Sequence, residues 1–405
     1  MRRALQVWWV QVLLVSVGAR LLSAVVFVAV ARTQAENGWT PASPSYLDYT
    51  GTMWDATWYR HIAEQGYPHT LPIGLDGRVQ QNSWAFFPLF PSLVRAAMVV
   101  TGGTWVVLGP LIALALGLLA MVVVHAVMTD ALARADVDER ARRWGPLLTV
   151  ALLSTSASAP VLQVAYTESA ALLGIATVLW AVQRRRYALA SLAVVAVGLT
   201  RAVALPLAAV VVVHGVSRLR EARRSDLPHE EVFPARSRVS VGGLAVLAVA
   251  AGFAWPTITG WVTGVPDAYE LTQGAWRGRH EVVPLLPWLD VARWLFGGWG
   301  ILVLAVLAAL TVIGLASPWL RLLGAELHAW VVAYVLYLVG VLEPGTSLVR
   351  FAILAFPAWG ALAVRVLHGR RPWTWTWVLV VLGLVGQVAW VGLLWRLVPP
   401  SGWPP

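Results

Sequence analysis

Apolar residues run in long blocks through most of this chain, and the polar positions gather between the blocks. A block of about 20 apolar residues can cross the roughly 30 Å hydrocarbon core of a bilayer as a helix. Backbone groups in lipid find no water, so helix is the form such blocks must take. The pattern predicts spans at about 8–30, 105–128, 146–159, 161–183, 187–200, 202–216, 239–262, 298–317, 326–342, 351–367 and 373–395. The expected fold class is therefore an all-α polytopic membrane protein of about 11 transmembrane helices, with residues 1–405 as a single integral membrane domain. Two further stretches are helical in pattern but too short or too interrupted to span. In 54–65, Trp54, Trp58, His61 and Ile62 recur at helical spacing. In 84–100, Pro88 and Pro91 break the early turns. Both are expected as juxtamembrane helices lying at the interface.

Arginine orients the chain. Arg134, Arg140, Arg142 and Arg143 share one connection, Arg184, Arg185 and Arg186 another, and Arg370 and Arg371 a third. Arg218, Arg220, Arg223, Arg224, Arg236 and Arg238 mark a basic loop, 217–238. Placing all of them in the cytoplasm with Met1 satisfies the positive-inside rule. Segments 31–104, 263–297 and 343–350 and the Pro-rich C-terminus then fall outside. The expected location is the plasma (inner) membrane, multi-pass, with the N-terminus cytoplasmic. Met1-Arg2-Arg3 opens on an apolar run longer than the 7–15 residues of a signal h-region, so it reads as a retained first span.

Composition agrees: 59% of residues are hydrophobic and 12% charged, against about 25% charged in soluble domains. The net charge is +10 and every basic residue is Arg. Because these arginines sit in short loops, they read as topology signals and not as a nucleic-acid footprint. With no Cys, disulfides and thiol chemistry are excluded. The eight His residues form no metal-ligand spacing, and no phosphate loop or dinucleotide fingerprint occurs, so neither a metal nor a cofactor is expected. Many of the 24 Trp residues fall near span ends, where indole rings anchor at the interface.

Charges within apolar blocks are costly and tend to mark function. Arg20 lies in the first span, Glu168 in the outer part of the fourth, Arg201 between two short spans, and Arg350 at the start of the tenth. One reading is mutual neutralisation, Glu168 with Arg201 for example. The other is an anion site: a cluster richer in Arg than in acid suits a phosphate. Arg277, Arg279 and His280 in the second outer segment suit phosphate or headgroups, or a solvated face. The first outer segment carries Asp48, Asp55, Glu64 and Asp76. Asp55 reads as a helix N-terminal residue favoured by the dipole. It also reads as the acid of a sugar site with Trp54, Trp58, Tyr59, Arg60 and His61.

Four motifs then carry a resemblance. Trp54-Asp55 followed by Ile62-Ala63 and Gly66-Tyr67 resembles the first-loop signature of the GPI mannosyltransferase II (PIG-V-like) family. Phe87-Pro88-Leu89-Phe90-Pro91 is similar to that family's Phe-Pro-Leu-x-Pro, Tyr166-Thr167-Glu168-Ser169 to its Tyr-Thr-Glu-Ser, and Arg201 to the Arg that follows. Where the family continues with Asn-Gly, this chain has Ala202-Val203-Ala204. The resemblance implies a GT-C fold and an inverting glycosyltransferase of the hexosyltransferase type. It implies mannose moved from a polyprenyl-phosphate donor to an extracytoplasmic glycolipid or glycan, forming an α-mannoside. Glucose or arabinose would use the same carrier chemistry. Asp55 maps onto the base, with Asp48 as the fallback. Arg350, Arg201 and Arg20 are candidates for the donor phosphate, and Trp54, Trp58, Tyr59, Arg60, His61, Tyr166 and Glu168 for sugar or acceptor. The competing expectation is a transporter or flippase of a polyprenyl-linked lipid, which uses the same phosphate chemistry without a base.

Overall fold

The computed structural model describes residues 7–226, 228–278 and 283–398. Met1 to Arg3, Arg279, His280 and the Pro-rich tail lie outside these described residues. The helices before the midpoint are α1 (Trp8–Ala31), α2 (Tyr46–Gly51), α3 (Asp55–Gln65), α4 (Leu89–Thr101), α5 (Trp105–Arg134), α6 (Glu139–Thr155), α7 (Glu168–Gln183), α8 (Tyr187–Gly198) and α9 (Leu205–Arg224). Then follow α10 (His229–Val232), α11 (Ala235–Thr263), α12 (Ala268–Arg277), α13 (Leu286–Phe296), α14 (Gly300–Leu315), α15 (Pro318–Arg321), α16 (Ala325–Val341), α17 (Leu348–Phe351), α18 (Pro357–Leu367) and α19 (Pro372–Trp390). A π-helical turn, Val391–Trp395, continues α19. Among the described residues no strand forms, only an isolated bridge between Ile73 and Val79.

Every apolar block read from the pattern contains a helix. Full-length spans are fewer. Trp8–Ala31, Trp105–Arg134, Ala235–Thr263, Leu286–Arg321 and Pro372–Trp395 are long and apolar enough to cross a membrane, and Leu348–Ala355 with Pro357–Leu367, bent by 69°, makes a sixth if it is one span. The reason is length: α8 has 12 residues, about 18 Å at 1.5 Å each, against a core of roughly 30 Å. Both shorter stretches form helices, as α3 and α4. Others were not read from the pattern: α2, α12 and α13 within 263–297, and the single turns α10, α15 and α17. The 217–238 loop is also largely helical, because α9 runs on to Arg224 and α11 starts at Ala235. Arginine is a good helix former.

The chain divides into two compact units. The first comprises Met1–Tyr67, Phe86–Ala176 and Thr346–Pro405. In it α6 packs against α1, α5, α18 and α19, and α5 also supports α2 and α4. Helices meet closely where residues are small. A Cβ on Gly383 would lie 2.3 Å from the Thr155 carbonyl oxygen, so α19 can approach the end of α6 only with glycine there. Segment 31–104 is tied down by indoles. Trp105 Nε1 donates to the Gly51 carbonyl (2.7 Å), Trp395 Nε1 to that of Tyr49 (3.2 Å), and Trp54 Nε1 to that of Trp395 (2.7 Å). Trp84, Trp105, Trp330 and Trp395 are fully buried, whereas Trp8, Trp9, Trp373, Trp375 and Trp377 are exposed. The tryptophans thus divide between surface anchors and core ties, a division their count could not reveal.

The second unit comprises Pro68–Ala85 and Thr177–Gly345. Here α9 packs against α11 and α16, and α8 and α12 against α11. His214 is buried between the Tyr187 hydroxyl (3.1 Å) and Glu326 Oε1 (2.8 Å). Helix α14 leaves Ile301, Leu302, Leu307, Leu310 and Ile313 exposed, as a lipid-facing span does.

Candidate active site

In the first unit three ionisable groups meet close to helix starts. Asp55 is the first residue of α3, Glu168 the first of α7, and Arg350 lies in the single turn of α17. Carboxylates at helix N-termini are favoured by the macrodipole, typically by 0.3–1 kcal/mol. Arg350 joins them. Its Nη2 donates to Asp55 Oδ2 at 2.6 Å and its Nη1 to Glu168 Oε1 at 3.2 Å. The Glu168 side chain is 0% exposed, that of Arg350 8% and that of Asp55 23%. Of the three, Asp55 is therefore the one that offers a surface to a substrate.

Aromatic rings wall the triad. The Arg350 guanidinium carbon lies 4.9 Å from the Tyr166 ring centroid and 5.0 Å from that of Phe351, distances at which a cation gains from a ring face. The Tyr166 hydroxyl accepts the Asp55 backbone N–H at 3.1 Å, satisfying one of the orphan donors of the helix start. Tyr166 also packs on Trp395, 5.4 Å between centroids. Tyr59 bonds Thr167 Oγ1 through its hydroxyl (3.2 Å) and meets Phe86 and Phe90 edge-on. Trp58 stacks flat on Phe86 at 5.8 Å. Trp54, just ahead of Asp55, has φ 55° and ψ −125°. A non-glycine residue in such a region costs about 1–3 kcal/mol and persists only where its surroundings hold it. Its indole hydrogen bond to Trp395 and its contact with Trp39, 4.9 Å between centroids, do so.

Arg60, His61, Asp48 and Arg20, also expected at the site, have surroundings of their own. Arg60 and His61 are on the exposed side of α3, and Arg60 pairs with Glu64 at 2.8 Å. At about 100° per residue they sit roughly 140° and 240° round the helix from Asp55, which is why they do not share its face. Asp48 lies in the first turn of α2. Its carboxylate accepts the Ser45 hydroxyl (2.6 Å) while its N–H donates to Ser45 Oγ (3.1 Å), a reciprocal cap. Arg20 is buried, and its guanidinium donates to the Ala159 and Ser154 carbonyls, closing the end of α6. Arg201 belongs to the second unit, where its charge reaches Tyr269 and Tyr337. The arginine-rich cluster read from the sequence is thus not what the first unit assembles: two acids share one arginine. Glu168 pairs with Arg350, 182 residues away. Thr167 enters the sequence reading only as part of a motif, with no role, and Trp39 and Trp395 do not enter it at all. Trp395 had no signal, since it ends a helix that reads as an ordinary apolar span.

No protein-family model matches the sequence, and neither does any curated protein at a significant level. Solved structures do. The oligosaccharyltransferase of Archaeoglobus fulgidus, tethered to an acceptor peptide containing the NVT sequon, matches with a TM-score of 0.54 and 13% identity over 100% of this chain and 56% of that one. The archaeal oligosaccharyltransferase AglB from Archaeoglobus fulgidus, in complex with an inhibitory peptide and a dolichol-phosphate, matches with a TM-score of 0.51 and 13% identity over 99% and 57%. The chain has the GT-C fold. The apo form of the Archaeoglobus fulgidus oligosaccharyltransferase aligns with a TM-score of 0.51 over 93% of this chain. The chain spans a little over half the length of these GT-C proteins. At this identity the likeness concerns the fold, and the chemistry must be argued from the residues.

Proposed function

We propose that this protein is an inverting glycosyltransferase that moves mannose from polyprenyl-phosphate-mannose to an extracytoplasmic glycolipid or glycan, with Asp55 as base. The observation that carries the reading is the partly exposed Asp55 carboxylate, held by Arg350 at the start of α3. The GT-C fold supports it, because the matching archaeal oligosaccharyltransferase was solved with a dolichol-phosphate and an inhibitory peptide. The four sequence motifs that resemble the GPI mannosyltransferase II family support mannose.

In this reading Arg350 occupies Oδ2 of Asp55, and Oδ1 accepts the proton of the acceptor hydroxyl. The hydroxyl oxygen bonds the anomeric carbon as the bond from that carbon to the carrier phosphate breaks. The electron pair leaves on the phosphate. The sugar passes through an oxocarbenium-like transition state that a nearby carboxylate stabilises. Attack opposite the leaving group inverts the centre and yields the α-mannoside. Arg350 is also the cation placed to meet the developing phosphate charge. Its Nε makes no hydrogen bond among the described residues. Glu168 holds the second half of the guanidinium, and Trp58 on Phe86 offers a flat aromatic platform for a sugar ring. Arg201 remains a candidate phosphate ligand. Arg20, committed to two carbonyls, is assigned a structural role instead.

The test is transfer by purified protein in nanodiscs, supplied with polyprenyl-phosphate-mannose and a mixed bacterial glycolipid extract, with and without Asp55→Asn. Transfer that disappears in the variant establishes donor, class and base together. Donor binding without transfer to any acceptor moves the assignment to a polyprenyl-lipid transporter.

A further inference from the structure

A second charged cluster lies in the other unit and takes no part in the chemistry above. Ser217, Arg220, Glu221, Arg224 and Ser225 line a groove of about 570 Å³. Spacings of three, four and seven residues place Ser217, Arg220, Glu221 and Arg224 on one face of α9, and Ser225 follows as its C-cap. Glu221 is the only acid lining this groove, and it is already claimed from two sides. Oε2 pairs with Arg218 and Oε1 with Arg185 at 3.6 Å. Arg220 and Arg224 have no carboxylate partner among the described residues. The face therefore presents two uncompensated guanidinium groups flanked by two hydroxyls, a donor set matched to phosphate oxygens.

The surroundings indicate which kind of phosphate. Arg218 is buried, donates to the Val232 carbonyl and lies 5.4 Å from the Phe233 ring centroid, so the groove rests on a fixed arginine. Arg184 and Arg186 lie 4.9 and 5.0 Å from the Trp180 ring centroid. On the other faces of α9, Val216 and Leu219 are exposed. A helix end that is apolar on one side and arginine-rich on the other, beside an indole under cations, has the composition of the headgroup layer.

We propose that the Ser217–Ser225 face of α9 binds the phosphate of an anionic phospholipid headgroup. Basic residues near a membrane surface each contribute to such binding, and two unpaired arginines suffice for clear selection. The test uses the full chain in nanodiscs containing equal phosphatidylglycerol and phosphatidylcholine, extracted gently and weighed with its retained lipids by native mass spectrometry. The wild type is expected to retain phosphatidylglycerol about tenfold or more over phosphatidylcholine. Arg220→Gln with Arg224→Gln is expected to bring the ratio near parity. The control Arg142→Gln with Arg143→Gln, an equal charge change on another helix, is expected to leave it unchanged. A double variant that keeps the wild-type ratio overturns the proposal, and so does a control that loses it equally. A soluble phosphate source is tested by washing the wild type with inorganic phosphate. Displacement of the lipid at low millimolar concentration would show that the groove serves a free anion and not a lipid. None of these readouts depends on sugar transfer.

Discussion

The two units contain charge clusters built on opposite plans. In the first, one arginine stands between two acids; in the second, one acid stands between two arginines. Their burial differs as much as their sign. Arg350 and Glu168 are sealed behind aromatic rings, while Glu221 and Arg185 are each 54% exposed. Charge taken out of water is held by geometry, and losing one partner leaves a costly remainder. Charge left in water is screened and loosely held, so it is free to meet a mobile anion. The contrast separates a site suited to bond making from a surface suited to recognition.

The comparison is broken most severely at Asp55. Asp55→Asn should lower sugar transfer by about 10²–10⁴-fold and leave the fold intact, because Arg350 keeps Glu168. Steady-state transfer together with a thermal melt checks both halves, and a variant with unimpaired turnover would remove Asp55 from the chemistry. Next comes Arg350→Gln, which leaves Glu168 buried beside Asp55 with no cation. Breaking a buried pair in this way costs about 3–5 kcal/mol, so a marked loss of thermal stability in detergent should accompany lost activity. Trp395→Phe keeps the ring against Tyr166 but removes the donor to the Tyr49 carbonyl. A cost of about 1–3 kcal/mol is expected for the carbonyl left unmet, with transfer falling more than donor affinity. The smallest effect belongs to the second cluster. Glu221→Gln should cost less stability than Arg350→Gln, since Glu221 itself is exposed and the buried Arg218 keeps its bond to the Val232 carbonyl, while retention of anionic lipid rises. A stability loss there as large as that of Arg350→Gln would erase the contrast.

Much of this was legible in advance, for physical reasons that differ by residue. The long helices α1, α5, α11 and α19 announce themselves through unbroken apolar runs. Glu168 and Arg350 stand out because a charge near lipid needs a reason, and Asp55 through the Trp54-Asp55 motif. What stayed hidden was pairing. Glu168 and Arg350 are far apart in sequence, and no local pattern distinguishes Arg350 from Arg201 as a partner. The short helices α2, α12 and α13 were hidden too, since short mixed segments owe their helicity to what they pack against. Arg20 was misleading for a related reason. A charge in mid-span draws attention, yet this one is consumed by the Ser154 and Ala159 carbonyls at the frayed end of α6.

The backbone at Trp54 sets two demands that conflict. Its positive φ is a conformation that glycine adopts without penalty, whereas its indole is needed for the bond to the Trp395 carbonyl. Glycine would relax the chain and forfeit the bond. Phenylalanine or leucine would keep the strain and forfeit the bond as well. No single replacement serves both needs, so position 54 is a trap in sequence space. A library that randomises residues 50–60 and selects for transfer should return tryptophan there, even while the exposed Arg60 and His61 drift freely.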